Sequence, residues 1–121
     1  MDINNLMKEG INMNNNIKYT NVLATSFHDQ KLIDIRKKDN DIIIKAKDEN
    51  EILYTFKIKS PIMKIFVGIN YEDMKDNNIL TLSYRNYENG EKSIYLETFN
   101  NDSIFNDEVE FYSKEIEIIK E

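Results

Sequence analysis

The chain has 121 residues, 40% of them hydrophobic and 31% charged, which is a globular composition and a length that fits one domain with one core. It contains no cysteine and a single histidine, which excludes disulfides, thiol chemistry and cysteine-ligated zinc and leaves too few soft ligands for an ordinary transition-metal site. The net charge of −6 is concentrated in residues 101–121, where Asp102, Asp107, Glu108, Glu110, Glu115, Glu117 and Glu121 stand against Lys114 and Lys120; such an excess repels phosphate backbones and attracts basic partners, so direct nucleic-acid binding is not expected.

Residues 1–16 set Ile3, Leu6 and Met7 among asparagines. They read as a flexible lead-in or a short helix closed by Gly10, since glycine readily takes the left-handed conformation that ends a helix. A single β-rich domain is then expected over 17–121. Tyr19, Val22 and Leu23 suggest a strand or packed segment running up to Ser26-Phe27-His28-Asp29-Gln30. In Lys31–Lys37, Ile33 and Ile35 fall on one side and Asp34 and Arg36 on the other, the period of two of a half-buried strand. Asp39-Asn40-Asp41 marks a turn, the β-branched run Ile42–Lys47 a second strand, and Asp48-Glu49-Asn50 a second turn. Ile52, Tyr54, Phe56 and Ile58 then alternate with Thr55, Lys57 and Lys59 until Ser60-Pro61 interrupts.

Ile62–Ile69 reads as a strand with Met63, Ile65 and Val67 on one face, and Asn70–Asn78 as a loop or one helical turn. Asn89-Gly90 between Ile79–Tyr87 and Lys92–Phe99 predicts a hairpin with a type I′ turn, both central residues having positive φ. Leu80, Leu82 and Tyr84 would face inward beside Ile94 and Leu96. From 107 to 121, Val109 with Phe111 and Ile116 with Ile118 fit two stretches of strand better than Val109, Tyr112, Ile116 and Ile119 fit a helix. The expected fold is therefore mainly β, an antiparallel sandwich or half-barrel of about seven to eight strands. The alternative, with a C-terminal helix, is a pleckstrin-homology-like barrel.

Little in the chain supports catalysis. His28 and Asp29 are adjacent, and neighbours in an extended chain point to opposite faces, so they should not form an acid–base pair. A structural role is expected instead: His28 as a half-buried, hydrogen-bonded ring and Asp29 bonding nearby amides. Neither a nucleophile-elbow sequence, a glycine-rich phosphate loop nor a twelve-residue calcium loop is evident. No metal or cofactor is expected. The beginning of the chain lacks the signature of a signal peptide, and no apolar run is long enough to span a membrane, so a cytoplasmic protein is the expectation.

The succession Phe27-His28-Asp29, Lys31-Leu32-Ile33-Asp34-Ile35, a turn, Ile42–Lys47 and Leu53-Tyr54-Thr55-Phe56-Lys57-Ile58 resembles a group of small β-rich bacterial proteins. Several of these act as immunity proteins in polymorphic or contact-dependent toxin systems. The resemblance spans Ser26 to Ile65, about a third of the chain, and implies a stoichiometric binding protein with no reaction of its own. It joins the acidic balance in pointing to a non-catalytic inhibitor of a basic, nuclease-like toxin domain. Glu108, Glu110, Glu115 and Glu117 would meet the partner's cations, and Phe111 or Tyr112 would supply buried apolar area. The alternatives are a self-assembling bacterial or phage protein, and a small-ligand or lipid-binding domain using Lys57, Lys59 and Lys64.

Overall fold

The computed structural model describes residues 9–12, 17–68, 70–100 and 105–121. Its strands are β1 (Glu9–Asn12), β2 (Ile17–Asn21), β3 (Leu32–Lys38), β4 (Asp41–Lys47), β5 (Leu53–Ile58), β6 (Ile62–Val67), β7 (Asn78–Tyr87), β8 (Lys92–Phe99), β9 (Asp107–Ser113) and β10 (Ile116–Lys120). A 3-10 turn, Tyr71–Met74, follows Asn70, whose side chain accepts from the Glu72 amide. The strands pair antiparallel in two sheets that do not close into a barrel, a larger one ordered β1-β2-β7-β8-β9-β6 and a smaller one ordered β10-β5-β4-β3.

The mainly β, antiparallel expectation is met, with more strands than foreseen. One addition is β1, where Gly10 sits opposite Tyr19 in a strand pair instead of ending a helix. Over 107–121 the two expected stretches of strand form as β9 and β10, which leaves no C-terminal helix and removes the pleckstrin-like alternative. The remainder of the expected lead-in, residues 1–8 and 13–16, lies outside the described residues. Among the described residues no helix is long and apolar enough to cross a membrane.

The core lies between the sheets. Ile44, Phe56 and Ile58 from the smaller sheet meet Ile79, Ile94, Leu96 and Val109 from the larger, all fully buried. Removing each such side chain from water contributes about 1.5–3 kcal/mol before chain entropy is subtracted. Phe27 joins them edge-on to Tyr54 and Phe56 at 5.3 and 6.0 Å between ring centroids, so the first residue of the Phe-His-Asp sequence is a core anchor.

The chain changes sheets twice at one corner. Between β5 and β6, Ser60 has a positive φ of 42°, its amide is held by Asp41 Oδ1 at 3.1 Å, and Pro61, without an N–H, ends the ladder. That bond, with Lys59 close by, holds the Asp41 carboxyl below its ordinary range. Between β9 and β10, Ser113 Oγ donates to the Lys59 carbonyl, and Lys59 N donates to the Glu115 carbonyl at 3.0 Å.

Three β-bulges move residues away from the faces that simple alternation assigns. The register shifts between Leu32 and Asp34, so Leu32 and Ile35 fill the core and Ile33, expected beside Ile35, does not. A second shift between Ile79 and Thr81 buries Ile79 in place of Leu80. The third, between Met63 and Ile65, puts Ile62, Ile65 and Val67 opposite Tyr112, Glu110 and Glu108 on the outer face, while Met63 and Phe66 oppose Phe111 and Val109 on the inner face. A bulged strand sets two residues against one, which reverses the alternation beyond it. The β7–β8 hairpin forms as expected but with another turn. Gly90 has φ 88° and Asn89 is not left-handed, so the loop is a type I turn closed by a left-handed glycine, with Gly90 N donating to the Tyr87 carbonyl and Tyr87 N to the Glu91 carbonyl.

Candidate functional site

Alternation along β7, β8 and β9 directs Ser83, Arg85 and Tyr87, then Ser93, Tyr95 and Glu97, then Glu108, Glu110 and Tyr112 away from the core, onto the outer face of the larger sheet. A sheet face without a second layer is ordinarily wet, yet Glu110 is fully buried here. It is flanked across the ladder by Tyr95 on one side and Ile65 on the other. Its Oε2 accepts from Ser93 Oγ at 2.6 Å, from Tyr87 Oη at 2.7 Å and from Arg85 Nη1 at 3.4 Å. Among the described residues its Oε1 is buried without a partner.

The same carboxylate fixes the surface above it. Arg85, tethered to Glu110 and through Nε to Ser83, is sandwiched between the rings of Tyr19 and Tyr95 at 4.3 and 4.2 Å from their centroids. Tyr87 packs between Tyr19 and Tyr112, 5.5 Å from each. Burial pushes the Tyr95 phenol up, and the negative charges of Glu108 and Glu97 push it further. Burial also raises Tyr112, with its hydrogen bond to Tyr87 as the next cause. The phenols of Tyr95 and Tyr112 therefore stay protonated across the neutral range, within an interlocked aromatic array.

At one end of this face Glu97 and Glu108 stand directly opposite each other on β8 and β9. Like charges in that relation destabilise a sheet. Asn106 Nδ2, at 3.4 Å from Glu97 Oε2, is a neutral donor and does not cancel the charge. Exposed Val67, opposite Glu108 on the other side, and exposed Phe105 put apolar surface nearby. At the far end a groove of about 660 Å³ is lined by Lys59, Ile62, Lys64, Gly90, Tyr112 and Lys114. Lys64 Nζ crosses it, 4.3 Å above the Tyr112 ring and 3.5 Å from Glu91.

No protein family, no curated protein and no solved structure matches this chain. Its own geometry is what bears on function.

The residues singled out from the sequence are scattered by this geometry. Of the six expected at a partner surface, Glu110, Phe111 and Tyr112 are buried: Phe111 in the core, and the other two in the outer-face cluster. Glu108 stays partly exposed beside Glu97. Glu115 lies in the corner between the sheets, and Glu117 pairs across the smaller sheet with Lys57. Among the described residues the acidic C-terminal excess is thus divided between the two sheets and forms no single patch.

His28 and Asp29 do meet, contrary to the extended-chain expectation. Asp29 has φ 66°, which turns its side chain back so that Oδ1 lies 3.4 Å from His28 Nε2. His28 Nδ1 donates to the carbonyl of Leu80, the residue displaced by the second bulge, at 2.9 Å. Both side chains are exposed, His28 by 57%, so the ring is hydrogen-bonded as expected but is not half-buried. Asp48 carries a structural load that the sequence reading gave only to its turn: it is 1% exposed, and its oxygens accept from Thr25 Oγ1 and from the amides of Asn50 and Ile52, all at 2.9 Å. Arg85 and Glu97 were not singled out, although an arginine at a solvent-side position of a strand was the available signal.

Proposed function

We propose that this is a non-catalytic binding protein that captures a basic protein partner on the outer face of its larger sheet, and that the partner is a nuclease-like toxin domain, as the resemblance around Phe27-His28-Asp29 suggests. The observation that carries the reading is the pair Glu97 and Glu108, opposed across β8 and β9 with no ion pair to a cation among the described residues. A lysine or arginine from outside would relieve their repulsion, and the exposed apolar residues beside them would add contact area. The tyrosine–arginine array next to them is of the composition favoured at interface cores, and its interlocking lowers the entropy lost on binding. Glu115 and Glu117 have no part in this version of the site.

The test is co-purification with the product of the adjacent gene and rescue of growth when both are co-expressed. Glu97→Lys with Glu108→Lys should slow association about tenfold or more at low salt and leave the fold intact, because unpaired surface charge acts chiefly on the encounter rate. An association rate indifferent to those substitutions and to ionic strength would sink the assignment of this site.

A further inference from the structure

The strand β6 closes one side of the larger sheet, and among the described residues nothing pairs with its outer edge. It also concentrates exposed apolar side chains, with Ile62 64%, Met63 45% and Val67 48% exposed. Soluble proteins usually blunt such an edge with charge, proline or a bulge. Here Pro61 lies just outside the strand, and the charge of Lys64 is withdrawn, since its ammonium folds back over its own sheet onto Tyr112 and Glu91.

The bulge gives the edge a symmetry that the sequence hides. Lys64 and Ile65 together occupy one position, opposite Glu110. Counted so, the strand reads Ile62 outward, Met63 inward, bulge, Phe66 inward, Val67 outward, and it reads the same in reverse. A two-fold axis through the bulge, perpendicular to the sheet, therefore places Ile62 opposite Val67 of a second copy on the outer face and Met63 opposite Phe66 on the inner face. Without the bulge, Ile62 and Val67 would lie on opposite faces and the match would fail. Charge does not oppose the same arrangement. The corner beside Ile62 mixes Lys59, Lys64 and Lys114 with Asp41, Glu91 and Glu115, so it sets no net like charge against Glu108 at the Val67 corner of the second copy.

We infer that two copies of this chain associate through antiparallel β6–β6 pairing, joining their larger sheets into one continuous sheet. A six-residue edge buries less than the roughly 800 Å² per partner of a standard interface, so the dimer should be reversible, with a dissociation constant on the order of 10–100 μM. The two outer faces would then form one surface, with Glu97 of each copy left open.

Sedimentation equilibrium of the full chain tests this. A mass moving from one copy to two with concentration is expected. Ile62→Lys or Val67→Lys, at positions exposed enough to leave the fold intact by circular dichroism, should weaken association about a hundredfold, tenfold for each copy of the substitution. A single-copy mass at about 1 mM would overturn the inference. So would a dimer insensitive to both lysine variants. The natural absence of cysteine permits a check of register: the double variant Ile62→Cys, Val67→Cys should oxidise to a covalent dimer, and neither single variant should, because like positions lie too far apart for an S–S bond. Equal cross-linking by the single variants would overturn the two-fold register.

Discussion

Replacing Glu110 is the most direct perturbation of the outer face. The carboxylate accepts two short bonds, from Ser93 and Tyr87, and a longer one from Arg85, while one of its oxygens is buried without a partner among the described residues. A hydrogen bond to a charged group contributes about 1.5–3 kcal/mol, so losing the two short ones removes about 3–6 kcal/mol. Relief of the buried charge returns part of this, and the stranded hydroxyls and Arg85 take some of it back. The net expectation for Glu110→Ala is a loss of about 3–4 kcal/mol, or a fall in Tm of roughly 10–20 °C for a domain of this size. Glu110→Gln keeps the volume and one acceptor but loses the charge opposite Arg85 and buries an amide group where Oε1 has no partner, so it should cost about 1–3 kcal/mol. Thermal and urea unfolding of the three proteins should give the order wild type, glutamine, alanine. If the alanine variant lies within about 1 kcal/mol of wild type, the carboxylate is solvated in solution and the argument for an interlocked face above it fails.

The tyrosines provide a pH test. Tyr95 and Tyr112 have phenols raised above their ordinary value of about 10, first by burial, so their contribution to stability is fully present below pH 10 and is lost as pH rises above it. An ultraviolet titration should show them ionising after the exposed tyrosines and together with unfolding; early ionisation of every tyrosine would contradict the burial. Asp48→Ala removes three hydrogen bonds from a buried carboxylate, two of them to amides of its own turn. It should cost about 2–4 kcal/mol by denaturant unfolding, whereas Asp39→Ala, in the exposed turn between β3 and β4, should stay within about 1 kcal/mol.

Most of the fold was legible because its strands alternate cleanly and its turns carry asparagine, aspartate and glycine. The segment Ile52–Ile58 shows this best, with Tyr54, Phe56 and Ile58 buried as the period of two requires. What the sequence concealed were the bulges. Each inserts one residue with no characteristic signature of its own, and each reversed an inward–outward assignment: Ile33, Leu80 and the set Met63, Ile65, Val67. The candidate site was harder to foresee for a related reason. Alternation with Val109 and Phe111 places Glu110 on the solvent side, and only the neighbours supplied by β6, β7 and β8 reveal that this side is covered at that point. Counting charge along the chain likewise treated 101–121 as one acidic surface. The change of sheet at Ser113–Glu115 separates Glu108 from Glu117, and the register then hands Glu117 to Lys57.

Three glutamates on neighbouring strands meet two different fates, and the contrast is what separates scaffold from surface. Glu110 is surrounded by tyrosines and an arginine, and its charge is consumed in orienting them. Glu97 and Glu108, one register step away, face each other with no ion pair to a cation among the described residues. Repulsion of this kind is tolerable at a sheet surface because water screens it, but it confers no stability that a serine or threonine would not exceed. The hydrogen bonds from Tyr95 to Glu108 and from Asn106 to Glu97 hold the two carboxylates but do not neutralise them. The cationic partner proposed above would relieve that repulsion on binding, with the face beside it keeping both carboxylates in position. On this argument Glu97→Thr should stabilise the isolated chain slightly, by a few tenths of a kcal/mol, while weakening capture of the partner. A variant that loses stability and keeps its affinity would reverse the assignment of the pair from binding to folding.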